Sequence, residues 1–110
     1  MSETPDTGNN QPEKVRTEVE RLVRLGSLPA EPNADVSKVE EFQRAIEAIA
    51  APVSTEEAER LMPVFGPDDC FGLAWMLLHL VESAPQLPLN AEPPSEANGW
   101  IRELWARSHR

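Results

Sequence analysis

The side chains best suited to chemistry share one arc of a helix predicted between Gly66 and Pro85. At about 100° per residue, this arc combines carboxylates, a histidine, a tryptophan and a glycine that lets another molecule approach the backbone: Asp68, Asp69 (at its edge), Gly72, Trp75, His79 and Glu82. Tryptophan is over-represented at binding hot spots. The arc is therefore a candidate protein-binding surface. The alternative is that the last helix packs over Gly72 and Trp75 and makes the arc part of the core.

The same arc gives weak support for catalysis. Asp68 and Asp69 could act as an acid–base pair, but neighbouring helical residues diverge by about 100°, and helix capping explains both. His79 and Glu82 lie one helical turn apart and are explained as a surface pair. A small enzyme that uses Asp68, His79 and Glu82 is a minor alternative, and it predicts an open cleft along the arc.

Cys70 is the single cysteine of the chain. A nearby helix N-terminus would lower the pKa of its thiol, whereas Asp68 and Asp69 would raise it by like-charge repulsion. Its angle on the helix places it on the apolar side. We predict a buried, unreactive thiol, no intrachain disulfide and a reducing, cytoplasmic location.

The sequence lacks the spacings that are typical of metal and phosphate sites. It has two histidines, His79 and His109, and no CxxC, HExxH or EF-hand pattern. Its five glycines are scattered and form no phosphate-binding loop. We therefore predict no metal, no cofactor and no enzymatic activity.

The helix that would carry the arc is predicted to span residues 67–84. Gly66 can cap it, Pro67 suits its first position, and Pro85 must end it. Between Cys70 and Val81 the run is apolar apart from Gly72 and His79, so we expect burial over most of its circumference. It is too short and too polar to cross a bilayer, which needs about 20 apolar residues.

Amphipathic segments before and after this run predict an all-α fold of about five helices packed around the central one. The first ends near Leu25, with Gly26 just beyond it. The second carries an apolar stripe from Val36 to Ala50 and begins either at Asp35 or at a capping box formed by Ser37 and Glu40.

The third helix begins at a capping box of Ser54 and Glu57 and stops around Leu61, because Pro63 follows. The last begins at Ser95 or Asn98 and contains Trp100 and Trp105, which lie about 140° apart on a helix. One of these two rings should belong to the core, and the other should clasp a loop or contact a partner. Residues 1–10 are predicted to be a disordered tail, and 11–110 a single helical domain.

The net charge of the chain and its distribution favour some classes of partner over others. The chain has a formal net charge of −9, and residues 31–69 hold ten acidic against three basic residues. Such a surface repels phosphate backbones, which disfavours nucleic acid, and attracts a basic protein. Residues 1–10 have neither the basic start nor the apolar stretch of a secretory signal, and the chain has no membrane-spanning run, so we expect a soluble protein.

These observations favour a non-catalytic, acidic protein-binding module. One form is an inhibitor or immunity-type protein that masks a basic protein partner. The alternative is an accessory structural subunit that docks through its C-terminal helix with Trp100 and Trp105. The two hypotheses predict a different dependence on salt. The association rate of an electrostatic complex falls as ionic strength rises, whereas that of an apolar complex does not.

Overall fold

The computed structural model describes residues 15–109, and the predicted disordered tail (1–10) lies outside them. Within the described part the chain forms α-helices and short 3-10 turns, with no strand, so the predicted all-α fold is confirmed. The helices are α1 (Thr17–Leu25), α2 (Val36–Glu47), α3 (Thr55–Leu61), α4 (Leu73–Glu82) and α5 (Gly99–Ser108). The 3-10 turns cover Glu31–Asn33, Met62–Val64 and Cys70–Gly72.

Helix α4 is the centre of the fold. It packs against α2, α3 and α5, while α1 packs against α2 and α3. Its apolar side is buried, as predicted, through Leu73, Ala74, Leu77, Leu78, Leu80 and Val81. Among residues 15–109 no helix combines the length and the apolar character needed to cross a bilayer.

The start of α4 differs from the prediction. The α-helix begins at Leu73, not at Pro67, and ends at Glu82. Gly66 is not its cap, and Asp68 and Asp69 are not in its first turn. The chain instead makes a 3-10 turn at Cys70–Gly72, and Gly72, with φ of 91°, precedes the helix. The physical reason is that Asp68 is held by partners far away in the sequence, described below.

The other helices start where their local sequence indicates, although α2 ends at Glu47, before the predicted end of its apolar stripe at Ala50. Asp35, not the Ser37 box, caps α2 by accepting the N–H of Ser37. Both bonds of the predicted capping box between Ser54 and Glu57 are present at α3. Asn98, the second of the two predicted starts, caps α5. Gly26 follows α1 with φ of 94°, a conformation that glycine adopts without strain.

Candidate functional site

The loop between Gly66 and Gly72 is organised by Asp68. Its carboxylate accepts the N–H of Glu31 through Oδ2 and the N–H of Cys70 through Oδ1, both at 3.0 Å. Its backbone carbonyl accepts the indole N–H of Trp100 at 3.1 Å. Asp68 therefore ties the loop to the segment before α2 and to α5, and this role removes it from the helical arc predicted from the sequence.

Phe71 is the unusual residue of this loop. Its backbone is left-handed (φ 56°, ψ 33°), and Cys70 before it has φ of 46°. A left-handed conformation costs a non-glycine residue roughly 1–2 kcal/mol. The Phe71 N–H is bound by Glu31 Oε2 at 2.9 Å. The consequence is that Cys70 is buried while 62% of Phe71 is exposed to solvent.

Phe71 shares a shallow apolar depression with the first turn of α2. Its cavity volume is about 220 Å³, and Ala34, Val36, Val39, Glu40 and Phe71 line it. We call it the Phe71 depression. Val36 is 73% exposed. The sequence analysis placed Val36 in the buried stripe of α2, which is wrong, because as the first helical residue it projects beyond the core.

Three carboxylates lie beside this depression. Oxygens of Glu31, Asp68 and Asp69 are all within 4.8 Å of one another, and we call the group the acidic bay. A hydrogen bond with Asp69 and repulsion from both aspartates raise the pKa of the Glu31 carboxyl, although the N–H of Phe71 opposes the shift. Oxygen ligands of this kind suit hard cations, but three are too few for a complete site. The expectation of no metal stays a prediction.

Trp75 lies on the other side of the loop. Its ring meets that of Trp100 edge-on, with centroids 4.9 Å apart and an angle of 87°, and Trp100 stacks on Phe65 at 6.2 Å. Helix α5 therefore packs against Trp75, yet it leaves 41% of the side chain exposed. A depression of about 340 Å³ remains there, lined by Pro67, Asp68, Trp75, Gly99, Trp100 and Glu103.

Gly72 is not covered by another helix. A Cβ built at Gly72 would meet no atom within 4 Å outside its immediate neighbours. The predicted arc is thus partly packed at Trp75 and open at Gly72. This result is intermediate between the two alternatives, an exposed binding surface and an arc covered by the last helix.

His79 and Glu82 do not join Asp68 in one site. The His79 ring is exposed and lies 6.4 Å from that of Trp75, whereas both carboxylate oxygens of Glu82 accept N–H groups of Arg107. Within residues 15–109, no hydrogen bond or ion pair connects Asp68, His79 and Glu82 with one another.

The two tryptophans of α5 have different surroundings. Trp100 packs against the hydrophobic core and against Phe65. Trp105 stacks on His109 at 3.9 Å and lines a separate depression with Pro93 of the preceding loop. The sequence predicted that one ring would belong to the core, without indicating which. Trp100 is the ring that packs against the core, although it is only half-buried, and Trp105 lies beside the loop.

Cys70 should react slowly in the native state. Burial raises the pKa of its thiol, and the charges of Asp68, Glu31 and Asp69 raise it further. Because the thiolate is the reactive form, we expect native protein to react with a thiol reagent such as DTNB at least about tenfold more slowly than protein in denaturant. Equal rates in the two states would contradict the buried position of the sulfur.

Comparison of the chain with protein-family models, with curated proteins and with solved structures gives no match. Function must therefore be argued from the surface itself.

Sequence reasoning had selected Asp68, Asp69 and Trp75 but missed Glu31, Val36 and Phe71. The one local signal was that the apolar Val36 directly follows the cap residue Asp35, where a side chain extends past the end of the helix.

Proposed function

We propose that the chain is a non-catalytic protein-binding module that presents an acidic face to a basic protein in the cytoplasm and masks it, as an inhibitor or immunity-type protein does. The observation that carries this proposal is the exposure of two apolar side chains, Val36 within the acidic stretch 31–69 and Phe71 just beyond its end. Exposed apolar patches with a polar rim mark interaction surfaces.

The position of two exposed apolar side chains supports a binding face at the acidic loop. Among residues 15–109, the large hydrophobic side chains with high exposure are Val36, Phe71 and Trp75. Phe71 belongs to the loop that carries Asp68 and Asp69, and Val36 lines the same depression as Phe71. Apolar contacts would supply binding energy there, while the carboxylates would supply steering toward a basic surface.

The two alternatives have less support. An enzyme that uses Asp68, His79 and Glu82 has less support because Glu82 is paired with Arg107, and within residues 15–109 no hydrogen bond or ion pair joins these three side chains. An accessory subunit that docks through the C-terminal helix would need free tryptophan rings. Trp100 is already packed on Trp75, and Trp105 is already stacked on His109.

The proposal is tested by partner capture followed by kinetics. The full chain, immobilised, is exposed to cell extract, and a captured protein is identified, purified and measured for direct association. We expect a basic protein whose association rate falls at least about tenfold between about 50 mM and 500 mM salt. An acidic partner, or a rate that does not change with salt, would contradict the proposal.

A further inference from the structure

We propose that the Phe71 depression and the acidic bay form one docking site for a partner segment that carries an apolar side chain next to an arginine or lysine. The apolar side chain would lie against Phe71 and Val36, and the cation beside Glu31 and Asp69. This inference rests on the proposed function and specifies the partner's contact.

The apolar half of the site is ordered before a partner binds. Val36 is the first residue of α2, and the Asp35 cap fixes its backbone. Phe71 is fixed by the left-handed turn and by the bond from its N–H to Glu31. A surface that is ordered before binding loses little conformational entropy on binding. No segment of residues 15–109 covers either side chain, since Val36 and Phe71 are 73% and 62% exposed.

The charged half lies directly against the apolar half. Glu31 connects the two halves, because one of its carboxylate oxygens accepts the backbone N–H of Phe71 and its carboxylate lies within 4.8 Å of oxygens of Asp68 and Asp69. Within residues 15–109 no ion pair includes Glu31, Asp68 or Asp69. A cation in the bay would relieve the repulsion among the three carboxylates.

Charge complementarity selects the occupant. A second copy of this chain would bring more negative charge, since its net charge is −9, and an anionic membrane surface would be repelled in the same way. Glu40 also lines the depression and adds a carboxylate to its rim. A segment with an adjacent apolar and cationic side chain satisfies both halves.

The site can be tested with peptides selected from a random phage-displayed library against the full chain. We expect the selected sequences to combine an apolar residue with arginine or lysine. In amide NMR spectra, a selected synthetic peptide should shift the signals of Glu31, Val36, Val39 and Phe71. Peptides without a basic residue, shifts centred on Trp75 and Trp100, or failure to select any binder would each overturn the inference.

Two substitutions test the apolar half of the docking site without destabilising the fold. Phe71→Gly removes the ring but suits the left-handed backbone, so its unfolding midpoint should not fall, while its peptide affinity should drop at least about tenfold, the effect of a hot-spot aromatic. Val36→Ser should weaken binding without touching the loop. Full affinity in both variants would overturn the apolar half of the inference.

The charged half of the site is tested by a charge-reversal variant and a matched control variant. Asp69→Lys and Glu59→Lys make the same charge change, but Glu59 is exposed on α3, away from the bay. We expect Asp69→Lys to weaken peptide binding at least about tenfold and Glu59→Lys to change it by less than about threefold. Equal effects would mean that only net charge matters and would overturn a defined cation position.

Failure of this inference differs from failure of the proposed function. A basic partner that binds Phe71→Gly and Asp69→Lys with the affinity of the unaltered chain would refute the docking site and leave the binding function standing. A partner that is acidic or insensitive to salt would refute the function itself.

Discussion

We expect Gly66→Ala to destabilise the protein by at least about 3 kcal/mol, the upper range for overpacking a tightly packed position. A Cβ at Gly66 would lie 2.1 Å from the carbonyl oxygen of Leu28 and 2.9 Å from its carbonyl carbon. Real Cβ atoms do not approach other atoms so closely. The obstacle is backbone and not a flexible side chain, so relief requires the two chain segments to separate.

One hydrogen bond joins these two segments, and a second fixes Gly66 to the residue that caps α5. The N–H of Leu28 donates to the carbonyl of Val64 at 2.8 Å, and the carbonyl of Gly66 accepts the side-chain amide of Asn98 at 3.0 Å. Leu28 is also buried in the core. Moving either segment would break one of these bonds, leave a buried polar group without a partner and open space beside Leu28.

Gly99→Ala is the matched control for this substitution. Gly99 begins α5, and a Cβ there would meet no atom within 4 Å. We expect its free energy of unfolding to stay the same or to rise by up to about 1 kcal/mol, since alanine favours helix. Urea unfolding followed by circular dichroism measures both variants. Equal stability of the two variants would show that the contact between residue 66 and Leu28 is not tight.

Gly66 also shows what the local sequence could not predict. Gly66 followed by Pro67 matches the start of a helix, and the prediction that it caps α4 was reasonable but wrong. What determines its role is Leu28, which is far away along the chain. By contrast, the capping box of Ser54 and Glu57 depends on residues three positions apart, and the prediction was confirmed.

In the candidate site, too, some features could be predicted from the local sequence and others depend on residues far away in the chain. The acidic character of Asp68 and Asp69 and the position of Trp75 away from the apolar side of the helix follow from composition and helical angle. The sequence left open whether the last helix covers Trp75, and the structure shows it partly packed against Trp100. The exposure of Phe71 depends on a left-handed turn that phenylalanine disfavours. That turn forms because Asp68 and Glu31 accept its N–H groups. The bond from Cys70 to Asp68 is local, as in an Asx turn, but the bond from Phe71 to Glu31 joins residues 40 positions apart and has no local sequence signature.

Glu57 is the position where a second large effect is expected. The sequence predicted its capping role, but not that its side chain is only 3% exposed or that it serves two helices. Its carboxylate accepts the N–H of Ser54 at 2.9 Å, and it also accepts the backbone N–H and the guanidinium Nε of Arg16, each at 2.8 Å. Arg16 precedes α1, so one carboxylate faces the N-terminal ends of α1 and α3.

We expect Glu57→Ala to lower the free energy of unfolding by about 3 kcal/mol, from loss of a capping box and of a nearly buried ion pair. The value lies at the lower end for such pairs because Arg16 is 36% exposed and can be hydrated once its partner is gone. Glu56→Ala is the control. Glu56 is the neighbouring exposed residue of the same first turn, and its loss should cost no more than about 0.5 kcal/mol.

The pH dependence gives this prediction a second, independent readout. Burial alone would raise the pKa of the Glu57 carboxyl, but the Arg16 guanidinium and the N–H groups of Ser54 and Arg16 outweigh it, and the pKa lies below its ordinary value of 4.5. A carboxyl with a lowered pKa stabilises the folded state above its unfolded pKa, and that contribution disappears as the pH falls through the folded pKa.

The difference in stability between the unaltered protein and Glu57→Ala should therefore be constant above about pH 5.5 and shrink below about pH 4.5. Urea unfolding at a series of pH values measures it. A difference that stayed the same down to pH 3 would mean that Glu57 acts through packing alone and that the charge shared with Arg16 contributes nothing. A shrinking difference would assign the stabilisation to the ionised carboxylate, which is the form that carries the charge paired with the Arg16 guanidinium.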